Sequence, residues 1–362
     1  MHSQLARTLR DMGHHVTLMS DGCGFMDTQR SIDITRRKGI VGGAWLAARC
    51  YGPLHKFMRG NDIVALQDTH FMPLRTKRLR YFFERLRGEN GAVFLTAAST
   101  DSYYVKECLN HDSSLHYNEF RVGNNLTEFS LSNKEWLDGW QCDELTAYND
   151  YIYQHVDGVV TALYEYQLAT LRNLPPEKVE YGGIPIDTES LKPYAIPGNP
   201  DCVNIFLGRH KRRMLEKGTD ILEQAARVVC DRHPGKVHLE IVEDRPYAEY
   251  INLMAKSHIV LDQIYSYSPA TNAMIAMSRG LAAASGGEPE FYDFIGEREN
   301  RPIINVTPDL DRTIEILDGV ASAPEKLKAR GEASRRFVVR HNEATVVAER
   351  FLNFWRRRLA SK

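Results

Sequence analysis

A basic run near the middle of the chain begins at Gly208-Arg209, continues as HKRRMLE and ends at Lys217-Gly218. It joins an apolar segment that reads as a strand, residues 203–207, to a helical one, residues 220–230. On composition alone this is a basic loop, whose cations either meet an anion or lie solvated. A second anion-binding pattern lies in residues 257–287. There HIVL reads as a buried strand, Asp262 and Gln263 stand at its carboxyl end, and Ser266, Ser268, Thr271 and Asn272 lead into a short helix. Ser268 is a good N-cap and Pro269 a good first helical residue. The N–H groups of Ala270, Thr271 and Asn272 should therefore point out of the helix start, where free amides and the helix dipole attract phosphate. An ordinary capped crossover helix carries the same signature.

Two ionisable residues of the first half stand in loops at strand ends. His70 follows the apolar run DIVALQ, and Asp101 lies in AASTDSYY, after the run AVFLT. Loops at strand carboxyl ends bind ligands in open α/β sheets. Asp101 reads equally well as the N-cap of the next helix, and His70 as a hydrogen-bonding loop residue. Asp309-x-Asp311 has the form of a metal-diphosphate site but opens a helical segment, so capping accounts for it and no metal is assigned. Glu288, after Gly286-Gly287, lies where a cleft loop is expected, and a solvated loop carboxylate reads the same. No G-x-S-x-G elbow or P-loop occurs, which argues against hydrolases and kinases of those types.

The elements that must position these residues alternate strand and helix. Helical spacing over residues 3–12, a strand at 16–19, and apolar runs at 62–67, 92–96 and 157–162 belong to the first half. Strands at 203–207, 237–242, 259–261 and 302–306 belong to the second. Glycine and proline concentrate in residues 181–201 without helical period, as in a linker. With 362 residues, two domains are expected: 1–182, a linker at 183–201, a second domain at 202–340, and a terminal helix at 341–362. In a doubly wound domain a first strand normally precedes the first helix; none is read here, so the expectation is either a fold that lacks it or a sequence that starts after it.

A hydrophobic fraction of 43% with 26% charged residues is that of a globular protein, and the net charge of -1 predicts no bulk nucleic-acid binding. The six cysteines, at 23, 50, 108, 142, 202 and 230, have no zinc spacing and read as reduced thiols. No segment has the form of a transmembrane helix or a signal peptide, so the cytoplasm is the expected location.

FLGRHKRRMLEKGTDIL and AMIAMSRGLAAASGGEPE carry a family likeness, as does GGIPIDTESLKPY. Together they resemble the strand end, the helix-to-strand segment and the hinge of the bacterial group 1 glycosyltransferases, the retaining family 4 type. The likeness spans nearly the whole chain. It implies the α/β GT-B fold: two Rossmann-like, doubly wound domains facing a cleft, with the donor on the second, the acceptor on the first and the terminal helix crossing back. It further implies transfer of a hexose from a nucleotide-sugar to a glycan or lipid-linked acceptor, in cell-surface polysaccharide biosynthesis, without cofactor or metal. Arg209 and Lys217 match the diphosphate cations, with Gly208 and Gly218 allowing close backbone approach.

Two departures stand out. The two glutamates that the family places seven residues apart fall on Tyr267 and Ile275, which leaves Ser266, Ser268, Thr271 and Asn272, with Asp262, to bind the donor. The family histidine falls near Ala98, which leaves Asp101 and His70 as the ionisable candidates. Two other readings stay open: a nucleotide-sugar epimerase, which shares the fold, and a catalytically silent subunit that binds nucleotide-sugar or glycan, which the departures suggest. Basic faces at residues 75–87 and 354–362 suggest peripheral contact with an anionic membrane at its inner face; ordinary solvated faces look the same.

Overall fold

The computed structural model describes residues 1–22 and 29–361; Cys23 lies outside them. Along the chain, β1 (Met19–Ser20) and β2 (Ile32–Asp33) form a short parallel pair. Next come β3 (Ile63–Leu66), β4 (Ala92–Ala97), a hairpin of β5 (Arg121–Val122) and β6 (Asn125–Leu126), then β7 (Gly158–Thr161) and β8 (Val179–Tyr181). A first parallel sheet has the order β3-β4-β7-β8. The second half contributes β9 (Val203–Arg209), β10 (Val237–Glu243), β11 (Ile259–Leu261), β12 (Ala282–Ser285) and β13 (Ile304–Asn305), parallel in the order β10-β9-β11-β12-β13.

Both sheets are covered on two faces, which is why their strands read as continuous apolar runs. Every residue of β4 is buried. Val93, Leu95 and Ala97 meet the helices Thr76–Glu89 and Asp143–His155 on one side. On the other side Ala92 and Phe94 meet the first helix, His2–Asp11, and the last, Ala344–Ala360. Gly158 lets that last helix sit close, because a Cβ there would lie 2.7 Å from the Phe354 ring. In the second sheet Leu207 and Leu261 face the helix Thr219–Arg232, whereas Phe206 and Val260 face Tyr250 and Ala276.

The halves meet through a shared apolar cluster that joins Tyr104, Leu115 and Phe120 to Met274, Ile275, Phe291 and Phe337. The chain crosses between them twice, and the crossings are bonded to each other: Ile186 N–H donates to Asn342 C=O at 2.8 Å and Ala344 N–H to Ile186 C=O at 2.9 Å. The Glu343 carboxylate also accepts from the Thr188 hydroxyl.

Some details differ from the sequence reading. The segment at 16–19 pairs only from Met19 onward. Asp309 caps its helix by accepting from Arg312 N–H at 3.0 Å. Phe354 and Trp355 are 2% and 5% exposed, and Arg357 pairs with Glu180, so the terminal basic run offers no aromatic to a membrane. All five described cysteines are free thiols. Among the described residues no helix is long and apolar enough to cross a membrane.

Candidate functional site

The strand order of the second sheet reverses between β9 and β11, and crevices at such switch points are where open α/β sheets bind ligands. Gly208 and Arg209 end β9, and Asp262 and Gln263 follow β11. Asp262 is 1% exposed; its Oδ1 lies 3.4 Å from Lys217 Nζ, and its Oδ2 accepts from the Ser285 hydroxyl at 3.2 Å. Gly218, at φ 63, ends the short helix Met214–Lys217 in the left-handed region, and Ile264 N–H donates to Lys217 C=O at 3.0 Å. The loops after β9 and β11 are thereby held together. At Gly208 a Cβ would lie 2.2 Å from the Tyr250 ring, and the Tyr250 hydroxyl donates to Asn272 Oδ1 at 2.7 Å. The missing side chain lets Tyr250 reach across the strand end to the helix Thr271–Ser278, of which half-exposed Thr271 is the first residue.

Arg209 does not join Lys217. Successive strand residues point to opposite faces, so Gly208 looks toward Tyr250 while Arg209 shares the face of Leu207, toward the helix Thr219–Arg232. Its guanidinium contacts Glu223 at 2.5 Å and Glu243 at 2.7 Å and is 11% exposed. These residues line an open hollow of 570 Å³ that also includes Arg227, Asp244 and Arg245. The bond from Arg209 holds the Glu243 carboxyl below its usual range.

The loop before the helix also differs from expectation. Ser268 does not cap it: the helix begins at Thr271, after Ala270, with no side-chain cap. Ser268 instead donates its hydroxyl to Glu165 Oε2 at 2.6 Å, while the N–H groups of Tyr267 and Ser268 donate to Glu165 Oε1 at 2.6 and 3.0 Å. Glu165 is 3% exposed and belongs to the first half, on the helix Tyr164–Leu171 that follows β7. A protein carboxylate thus occupies amides and a hydroxyl expected for phosphate or sugar. Ser266 accepts from Gln263 Nε2 at 2.8 Å. Tyr267 Oη accepts from His116 N–H at 2.7 Å, and Tyr117 donates to Glu288 at 2.7 Å. The two positions where the resemblance puts glutamates, Tyr267 and Ile275, therefore serve the contact between the halves.

In the first half, Asp101 is 4% exposed and caps the helix Ser102–Leu109. It accepts from Tyr104 N–H at 2.9 Å and from the Tyr153 hydroxyl at 2.5 Å, and burial pushes its pKa up to about 6. The His70 ring stands edge-on to Trp140 and Tyr148, with centroids 5.5 Å away in each case, and burial lowers its pKa, which favours neutral imidazole. Asp68 accepts from Ser99 at 3.1 Å through Oδ2; its Oδ1 is buried with no hydrogen-bond partner among the described residues, and burial raises its pKa.

Three of these acids escape the sequence reading. Glu165 and Asp68 follow apolar strands directly, the signal that picks out His70 and Asp101. Glu119, which accepts from the Tyr104 hydroxyl at 2.9 Å and is pushed up to about 8 by burial, lies in a stretch without periodicity.

No protein-family profile and no curated protein matches the chain. Solved structures do. Sucrose-phosphate synthase from Thermosynechococcus elongatus aligns over 99% of this chain and 92% of its own, with a TM-score of 0.63 and 14% identity. WaaG, a glycosyltransferase involved in lipopolysaccharide biosynthesis, aligns over 97% and 94%, with a TM-score of 0.60 and 13% identity. A variant of S. aureus TarM, solved with fondaparinux, alpha-GlcNAc-glycerol and UDP, aligns over 86% of this chain at a TM-score of 0.55 and 11% identity. This chain spans 59% of TarM's length. At such identities the likeness is one of architecture: the chain has the GT-B fold, with parallel α/β halves facing each other across the carboxyl ends of their strands.

Proposed function

We propose that this protein is a nucleotide-sugar-dependent glycosyltransferase, and the Lys217–Asp262 pair at the switch point of the second sheet is the observation that carries the reading. Residues 202–340 form the donor domain and residues 1–182 the acceptor domain, joined by 183–201, with the last helix returning to the first. Lys217 meets the donor diphosphate. As the bond from the sugar C1 to the diphosphate oxygen breaks, the ammonium offsets the growing charge, and Asp262 keeps it in place. A hydroxyl of the glycan or lipid-linked acceptor bonds to C1, and its proton passes to the leaving diphosphate or to a first-half carboxylate such as Asp68 or Asp101. Gly208, Gly218, Ser266, Thr271 and Asn272 line the donor side. No metal or cofactor enters this scheme. The transferred group is a hexose, the pathway cell-surface polysaccharide assembly, and the location the cytoplasm. UDP in the TarM complex and the lipopolysaccharide role of WaaG support these choices.

One observation favours the silent-subunit reading. Glu165 already fills the Tyr267 and Ser268 amides, so a donor reaching them must displace it. A thermal-shift panel of UDP, GDP, ADP and their sugars, followed by donor-hydrolysis assays, separates the readings. A shift with one nucleotide that is lost in Lys217→Ala, together with turnover, is the expected result. A shift without hydrolysis or transfer assigns the silent role, and a flat panel removes the donor site.

A further inference from the structure

The helix Gly39–Tyr51 is apolar on both sides. Gly42, Gly43, Leu46, Ala47 and Cys50 pack inward, yet Ile40 and Val41 are 79% and 81% exposed, the most exposed large apolar side chains among the described residues. Trp45 shares their outer face, and the guanidinium groups of Arg37 and Arg49 sit 4.9 and 4.6 Å from its ring centroid. A helix with apolar residues all round needs something to cover its second face.

The charge of the segment says what covers it. Residues 34–61 hold six Lys and Arg and no Asp or Glu, in a chain whose 46 basic and 47 acidic residues otherwise balance. The face continues through Tyr51, whose ring centroid is 5.3 Å from that of Tyr81 on the helix Thr76–Glu89, another basic element. We propose that the outer face of Gly39–Tyr51 docks on a bilayer bearing anionic headgroups, with Ile40, Val41 and Trp45 entering the acyl boundary and Arg37, Lys38 and Arg49 meeting the phosphates. Protruding aliphatic side chains ringed by cations, with a tryptophan at the polar boundary, match such an interface. A second copy of the chain fits worse, because a two-fold contact would set these cations against their own equivalents. The terminal basic run is excluded by the burial of Phe354 and Trp355. The surface goes beyond the transfer reaction and is tested without donor or acceptor, so its failure leaves the transferase reading untouched.

The test is sedimentation with vesicles of phosphatidylcholine alone and of phosphatidylcholine with phosphatidylglycerol, at low and high salt. The parent protein should bind only the anionic vesicles and release in high salt. The triple change Ile40→Ser, Val41→Ser, Trp45→Ala should weaken binding at least about tenfold, since each lost apolar insertion exceeds that factor. Arg37→Gln with Lys38→Gln, at exposed positions that leave the fold intact, should weaken it about fivefold per residue. No binding by the parent, or equal binding by both variants, overturns the proposal. So does a parent dimer in analytical ultracentrifugation that the triple variant converts to monomer, which would give the face to a second copy.

Discussion

Two groups of acids, one in each half, are held in opposite ways. In the first half Asp68, Asp101, Glu119 and Glu165 are raised by burial, and their hydrogen bonds come from hydroxyls and amides. In the second half Glu223 and Glu243 flank Arg209 and lie below the ordinary range. Burial beside neutral donors disfavours the charged carboxylate, whereas an adjacent guanidinium holds the acid as a counterion. In the second half Lys217 has Asp262 as its one ion-pair partner among the described residues, where Arg209 has two carboxylates; on the proposed reading Lys217 is the cation that meets the diphosphate.

The largest expected effect lies where the halves meet. Glu165→Ala removes three hydrogen bonds to a buried carboxyl and leaves two amides unpaired, which should cost about 4 kcal/mol in urea unfolding, while Glu165→Gln recovers most of it. A loss under about 1 kcal/mol would break the contrast, since the contact would then be incidental.

Next comes pH. Asp101 is raised from 3.8 to about 6 on folding. Its protonated form therefore stabilises the fold below pH 3.8, and that stability, about 3 kcal/mol, is lost as pH rises through about 6. Asp101→Asn should flatten the difference in urea midpoint over this window; an unchanged profile would detach Asp101 from the contrast. Glu243 has the reverse sign, because its stabilising pairing disappears as pH falls and it takes up a proton.

Lys217→Ala should weaken nucleotide binding about a hundredfold, roughly 2.7 kcal/mol by calorimetry, and should lower the melting temperature as well, because it leaves the buried Asp262 carboxylate without its ion-pair partner. Arg209→Ala should lower stability by about 2 kcal/mol through the loss of two charged hydrogen bonds while nucleotide affinity stays within about threefold. If the two variants exchange phenotypes, Arg209 is a donor cation after all, and its acids are placeholders for the diphosphate.

Much of the fold is legible in the sequence, because a strand covered on both faces has no polar side to disguise it. The runs AVFLT, VNIFL and HIVL coincide with β4, β9 and β11 to within a residue or two. The site is less legible. The likeness assigns one role to Arg209 and Lys217, yet strand alternation turns Arg209 toward Glu223, and which helix lies on that face depends on strand order, a non-local property. Ser268 has the composition of an N-cap, and only the arrival of Glu165 from a segment 103 residues earlier redirects its hydroxyl. Tyr267 and Ile275 look like losses when compared with a pattern of acids. In the folded chain they are gains, one as a hydrogen-bonded ring and one as packing.

The paired crossings at Ile186 and Asn342–Ala344 tie both passages of the chain between the halves to one point, through two backbone hydrogen bonds. Neither connection can then shift alone: a change in one is felt by the other, and a substitution at Ile186 alters how the halves are joined at a place remote from Lys217 and Asp262.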